Sequence, residues 1–220
     1  MALTIYGVLR SRATRTIWTA RELGLAFTHV PVIQSYRLAD PSAPDAPFNT
    51  ASPAFLAINP AGQIPCIDDD GFRLAESFAT TLYLAKTHGG TLAPATLQED
   101  AQMTAWTLWA ATSVEPHSIA ILYNRVGKPE AERDPAAADA AVIALARPFA
   151  TFEAVLAAGN GHPVGGRFTV ADINLAEVFR YAQAAPELFE AHPRITAWLA
   201  ACQARPHFVQ MMAERNAEPA

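Results

Sequence analysis

Gln63-Ile64-Pro65 and Glu76-Ser77 are the residues whose types and spacing suit binding chemistry. The first run reads as a short apolar strand stopped by Pro65, which fixes its own φ and cannot donate a ladder hydrogen bond. A strand broken there lies at a sheet edge or carries function. Glu76 and Ser77 open a helix, with Ser77 as its N-cap. That helix start offers N–H groups and a positive dipole end to an anion, beside a carboxylate that holds a cation. Together these suit a zwitterionic amino-acid group. The same residues also describe an ordinary hairpin followed by a capped helix.

The elements that must position them read as follows. Asp68-Asp69-Asp70-Gly71 supplies a turn, and Phe72 to Ala75 returns as the second strand of a hairpin. The helix from Ser77 repeats Phe78, Leu82 and Ala85 as one buried stripe. Upstream, Leu3 to Tyr6 is a strand and Gly7 a turn. A helix follows from Ser11, with Ala13, Ile17 and Ala20 on one face and Gly24 at its C-terminal end. Leu25 to Val32 returns as a strand, giving a βαβ unit with parallel strands. Ser35 to Pro60 is a proline-punctuated connection holding at most one short helix, begun by Ser52-Pro53. A connection this long usually serves a function. The order βαβ(α)ββα is that of a thioredoxin-like domain, and the missing CxxC argues against dithiol exchange.

Thr87 to Pro94 is a small-residue linker, and no strand pattern follows it. Leu97 to Asn124 carries Met103, Trp106, Trp109, Ala110, Ser113 and His117 on one broad helical face, kinked at Pro116. Asp134-Pro135 caps the next helix, which Pro148 bends. Thr169 and Asp172 form a capping box, with Phe168 and Ile173 as its hydrophobic staple, a structural role. The expected fold is therefore an α/β thioredoxin-like N-terminal domain over 1-86, followed by an all-α helical bundle over 95-220.

The 220 residues are 17% charged and 51% hydrophobic, with a net charge of −5 and no block of like charges. That balance disfavours nucleic acid or an anionic membrane as partner. Met1 to Tyr6 leads into arginines rather than the apolar core of a signal peptide. The apolar stretch Ala136 to Ala158 is broken by Arg147, Pro148 and Glu153, and is read as a soluble helix rather than a membrane span. Cys66 and Cys202 have no partner motif, which fits a reducing compartment, so the chain is expected in the cytoplasm. The six histidines show no metal-ligand spacing, and no metal is expected.

The run NP-x-G-x-IP-x-I-x-DDGF-x-L-x-ES-x-A-x-x-x-YL resembles the glutathione-binding half of the glutathione S-transferase superfamily. The likeness covers the chain to its last helix, where Trp198, Leu199, Cys202 and Arg205-Pro206 close it as in those proteins. The resemblance implies that Pro65 is cis and that Ile64 pairs its main chain with the cysteinyl part of glutathione. It also implies that Glu76 and Ser77 hold the γ-glutamyl end, with Gln63 as an extra contact.

Glutathione brings one chemical problem, its thiol. With a pKa of about 8.5 it is only roughly 3% thiolate at pH 7, and thiolate is the nucleophile. Lowering that pKa by about two units needs ~2.7 kcal/mol of preferential stabilisation. A helix N-terminus supplies up to ~2 kcal/mol and a hydrogen bond to a charged acceptor ~1.5 to 3. A hydroxyl at the start of the first helix combines them. SRATRTIW is similar to the SRxxRxxW stretch of bacterial and fungal serine-type members, in which a serine in this turn donates to the glutathione sulfur. Ser11 takes that role by resemblance; from its position alone it is equally an N-cap.

Tyr6 is the rival thiolate partner, being near the tyrosine of the animal enzymes, and it also reads as core. Arg12 and Arg15 read as solvated surface, and Cys66 as small apolar packing. The second substrate is expected among Val8 and Leu9 of the first turn and Trp109, Ser113 and His117 of the kinked helix, whose apolar and aromatic character suits a hydrophobic electrophile. The expected protein is a homodimeric glutathione S-transferase conjugating glutathione to such an electrophile. A glutathione-dependent isomerase, dehalogenase or peroxidase is the alternative within the class. A non-catalytic binding module with the same fold is the alternative outside it.

Overall fold

The computed structural model describes residues 2–218. Its strands are β1 (Leu3–Tyr6), β2 (Phe27–Val30), β3 (Cys66–Asp69) and β4 (Phe72–Ala75), in one sheet of order β2-β1-β3-β4. Strand β1 runs parallel to β2 and antiparallel to β3, and β3 and β4 form the hairpin. Helices α1 (Ala13–Glu22), α2 (Pro53–Leu56) and α3 (Ser77–His88) complete the expected thioredoxin-like order. Tyr6 pairs with Val30 on one side and Cys66 on the other. This register sets the turn after β1 beside the segment entering β3.

Four local expectations are corrected. Pro65 does not stop a strand; β3 begins after it at Cys66, because the ladder starts only where an N–H is available. The second strand shortens from residues 25–32 to Phe27–Val30. Ser77 is the first residue of α3, and Glu76 holds the cap position. The buried face of α3 is Ser77, Thr80, Thr81, Leu84 and Ala85, with Phe78 and Leu82 only half-buried. Its threonines tolerate burial because their hydroxyls are satisfied. Thr80 donates to the Ser77 carbonyl at 2.9 Å and lies 2.7 Å from the Thr16 hydroxyl of α1.

The second unit, Thr91–Arg205, is helical. It contains α4 (Leu97–Trp109), α5 (Glu115–Leu122), α6 (Pro135–Ala158), α7 (Val170–Phe179), α8 (Pro186–Glu190) and α9 (Pro193–Gln203). A wide π turn over Ala110–Val114 joins α4 to α5, and Pro116 follows in the first turn of α5. The kink thus sits where a missing N–H is absorbed by widening the helix. The buried face is Met103, Thr107, Ala110, Val114, Ser118 and Ile121, leaving Trp106, Trp109, Ser113 and His117 half-buried beside it.

Helix α6 continues through Pro148. By length and composition it is apolar enough to cross a membrane, with a mean hydropathy of 1.6. Its Leu145, Phe149, Phe152 and Leu156 are buried inside this unit, and its Glu153 accepts the N–H groups of Arg194 and Ile195. Asp172 is fully buried at the start of α7. It accepts from the Thr169 N–H at 2.8 Å, Trp198 Nε1 at 2.9 Å and His162 Nδ1 at 2.8 Å, fixing three segments at one carboxylate.

The last helix, α10 (Pro206–Ala217), packs on α1. Trp18 and Phe208 meet edge to face at 4.8 Å, and Arg21 donates to Glu214 at 2.6 Å. The sequence reading places these residues with the helical bundle. In the structure, the described part of Pro206–Ala220 instead joins Met1–Gly90 in the first unit.

Candidate active site

Gly7 carries the first turn at φ +143, a region that L side chains rarely adopt. A Cβ there would lie 3.0 Å from the Ala13 Cβ and 3.4 Å from the Ile64 Cβ. The absent side chain therefore lets the start of α1 close onto the segment before β3. His29 Nε2 and the Gly7 carbonyl, 2.6 Å apart, secure the turn from β2.

Ser11 lies at the head of α1, half-buried. Its hydroxyl accepts the Ala13 N–H at 3.0 Å and gives its proton to the Val8 carbonyl at 2.6 Å. In this conformation it works as a turn residue; Arg12 holds the cap position of α1, which corrects the reading of Ser11 as its N-cap. A single-bond rotation frees that proton for another acceptor.

The Ile64-Pro65 peptide is cis. Asn59 holds the approach to it, with Nδ2 donating to the Gln63 carbonyl at 2.7 Å. Among the described residues no hydrogen bond engages the Ile64 main chain, so its N–H and C=O remain open to an extended ligand. Gln63 is exposed next to it.

Glu76 is exposed at φ 69, a left-handed conformation in a non-glycine residue. Such strain, on the order of 1–3 kcal/mol, persists only where the surroundings enforce it and is concentrated at functional sites. Ser77 follows, buried, with its Oγ accepting from Arg15 Nη1 at 3.0 Å. Arg15 itself is fully buried, which corrects its reading as solvated surface. Every residue of α1 from Ala13 to Ala20 is buried, so this helix has no solvated side there.

The comparisons with known proteins bear on this arrangement. The family described as glutathione S-transferase, N-terminal domain, matches residues 11–87, and glutathione S-transferase, C-terminal domain, matches residues 111–206. Maize glutathione S-transferase 3 is 31% identical, over 96% of this chain and 93% of the relative. The chain belongs to the glutathione S-transferase family. A crystal structure of glutathione transferase F7 from Populus trichocarpa superposes with a TM-score of 0.81 at 26% identity, covering 97% of this chain and 98% of that one. The theta-class glutathione S-transferase of Xanthomonas axonopodis pv. citri, solved with glutathione bound, has a TM-score of 0.78 at 30% identity, covering 94% of this chain and 95% of that one.

In this glutathione S-transferase the Tyr6 ring packs on Phe55 at 6.3 Å, within a cluster with Val32, Phe48 and Cys66. Burial, aided by the Asp68 charge, raises the pKa of its phenol. Burial likewise raises the pKa of the Cys66 thiol, which points to the Ile67 carbonyl at 3.5 Å, so this thiol is a packing group rather than a nucleophile. Leu9 is buried in the first unit. Trp109, Ser113 and His117 are half-buried in the second, where the Trp109 ring joins an aromatic cluster, 5.1 Å from Trp106 and 6.2 Å from Phe152. No cluster of three potential metal ligands occurs among the described residues.

Two residues escape the sequence reading. Arg15 shows no signal by itself, since a threonine-rich helix buried on every side does not look apolar. Glu218 accepts the Leu9 and Arg10 N–H groups at 2.8 and 2.9 Å from the far end of the chain, and nothing local in sequence points to it.

Proposed function

We propose that this protein binds glutathione along Gln63, Ile64 and Pro65, holds its γ-glutamyl end at Glu76 and Ser77, and conjugates the tripeptide through its sulfur to a hydrophobic electrophile. The observation that carries this reading is the open Ile64 main chain, in the same unit as the strained Glu76 and as Ser77, whose own proton is uncommitted to Arg15. An extended peptide pairing with Ile64 and ending in an α-amino and α-carboxylate group matches that set of donors and acceptors.

Ser11 then supplies the thiolate partner. Its hydroxyl turns from the Val8 carbonyl to the glutathione sulfur, and its main-chain N–H serves as a second donor. The thiolate attacks an electrophilic carbon, a C–S bond forms, and the leaving group departs with its bonding pair. Tyr6, committed to the Phe55 cluster, is the poorer candidate for this task. The enzyme works in the cytoplasm as a homodimer in this reading.

Retention on immobilised glutathione, followed by turnover of a chloronitrobenzene, tests it. Binding with turnover supports the transferase. Binding without turnover favours the non-catalytic module, and titration calorimetry at millimolar glutathione without saturable heat overturns both.

A further inference from the structure

We infer that Glu218 is a positioning residue for Ser11, acting through the peptide that joins Val8 to Leu9; the inference rests on the reading of Ser11 as the thiolate partner. Glu218 follows the last turn of α10, where its N–H bonds back to the Glu214 carbonyl at 3.1 Å. Its carboxylate reaches the turn after β1 and accepts two successive main-chain donors, the Leu9 N–H at 2.8 Å on one oxygen and the Arg10 N–H at 2.9 Å on the other. Successive N–H groups aimed at one point form a concavity that favours an anion. Arg10 Nε adds a bond to the Glu218 carbonyl at 3.1 Å, so the turn grips this residue from main chain and side chain together.

One peptide carries the effect to Ser11. A peptide bond is planar, so the direction of its N–H fixes the direction of the carbonyl across the same bond. The Leu9 N–H held by Glu218 and the Val8 carbonyl are the two ends of one such plane, and that carbonyl accepts the Ser11 hydroxyl at 2.6 Å. The entry to the turn is fixed separately, by the Gly7 N–H on the Val30 carbonyl at 3.0 Å and by His29 Nε2 at 2.6 Å from the Gly7 carbonyl. Val8 and Leu9 are buried, yet rotation of the peptide between them, the change that separates a type I from a type II turn, leaves side chains nearly in place. Without the carboxylate that plane is free to rotate. The Val8 carbonyl then turns away, and the Ser11 hydroxyl is no longer held one single-bond rotation from the sulfur.

The test is Glu218→Gln, with the harsher Glu218→Ala beside it, read by chloronitrobenzene kinetics across pH and by calorimetry with glutathione. The kcat should fall about tenfold, because small misplacements of a reacting group are costly. The glutathione Kd should stay within about twofold, since Gln63, Ile64, Glu76 and Ser77 are untouched. The pKa of the bound thiol in the pH–rate profile should rise by about half a unit to one unit as its donor is misplaced. Loss of a nearby negative charge would by itself lower that pKa, so a fall, or an unmoved profile, overturns the positioning role. Arg21→Gln breaks the 2.6 Å contact with Glu214 on α10 and serves as the control for stability alone. It should lower the thermal unfolding midpoint and leave the profile in place; a profile that follows the midpoint in both proteins overturns the inference. In a Ser11→Ala background, Glu218→Gln should add less than about twofold, since residues acting as one unit are not additive. A full further loss there overturns the positioning role and leaves Ser11 as the thiolate partner, whereas a Ser11→Ala protein with the parent's rate overturns the reading of Ser11 itself.

Discussion

Glu218 and Arg10 are joined twice. The Glu218 carboxylate accepts the Arg10 N–H at 2.9 Å, and Arg10 Nε donates to the Glu218 carbonyl at 3.1 Å. With the Leu9 N–H on the other carboxylate oxygen at 2.8 Å, the end of the chain fastens the turn that leads into Ser11. Hydrogen bonds to a charged group contribute about 1.5–3 kcal/mol each in favourable settings. Replacing Glu218 by Gln should lower stability by roughly 1–2 kcal/mol, and removal of residues 218–220 by at least as much. Urea unfolding of the parent and both variants measures this, and unchanged midpoints would show the clasp to be idle.

Ser11→Ala should reduce kcat roughly 10- to 100-fold by removing one hydrogen bond to the thiolate. Retention on glutathione should persist, because Ile64, Glu76 and Ser77 are untouched. The pKa seen in the pH–rate profile should rise in the same variant, as the thiolate loses a donor. Tyr6→Phe should leave the rate within about twofold, its ring being part of the Phe55 cluster. The reverse pattern assigns the thiolate to Tyr6.

Gly7→Ala places a methyl 3.0 Å from the Ala13 Cβ at a φ of +143. The start of α1 must then shift away from Ile64, and the expected loss is on the order of 2 kcal/mol of stability. Because the displacement opens the site, glutathione KM should rise as well. A variant with reduced stability and unaltered KM would detach the turn from binding.

Glu99 and Arg167 form a bidentate pair inside the second unit, at 3.0 and 2.7 Å, and the Ala95 N–H adds to it at 2.8 Å. These contacts, the Arg167 hydrogen bonds foremost, pull the Glu99 pKa down to about 2. A carboxyl with a lower pKa in the folded state binds fewer protons there than in the unfolded chain, so its stabilisation is fully present above the unfolded value near 4.3. It disappears as pH falls through about 2. Half-buried and still reached by solvent, which screens it, the pair contributes only about 1 kcal/mol. The stability gap between the parent and Glu99→Gln should therefore be constant from pH 7 to 5 and close in acid; chemical denaturation across that range detects it, and a gap independent of pH refutes the assignment.

Local physics made much of the protein legible from its residues. Alternation and turn chemistry identified β1, the β3–β4 hairpin and α1, because strand and turn preferences act within a few residues. Thr169 and Asp172 announced the start of α7 for the same reason: a capping box is completed inside one helical turn. Pro65, Glu76 and Ser77 stood out through conformational restriction and charge, which each carries on its own.

Burial and partnership were decided only by tertiary structure. Arg15 looks like a surface residue until α1 is enclosed and its guanidinium meets Ser77, 62 positions away in sequence. The buried face of α3 turns toward its threonines because Thr16 meets Thr80 and the Phe78 carbonyl accepts from Thr81, and α10 joins the first unit through Trp18 and Phe208. A polar side chain carries no mark of the partner that will satisfy it; that partner is supplied by chain returning from far away, after the backbone has folded.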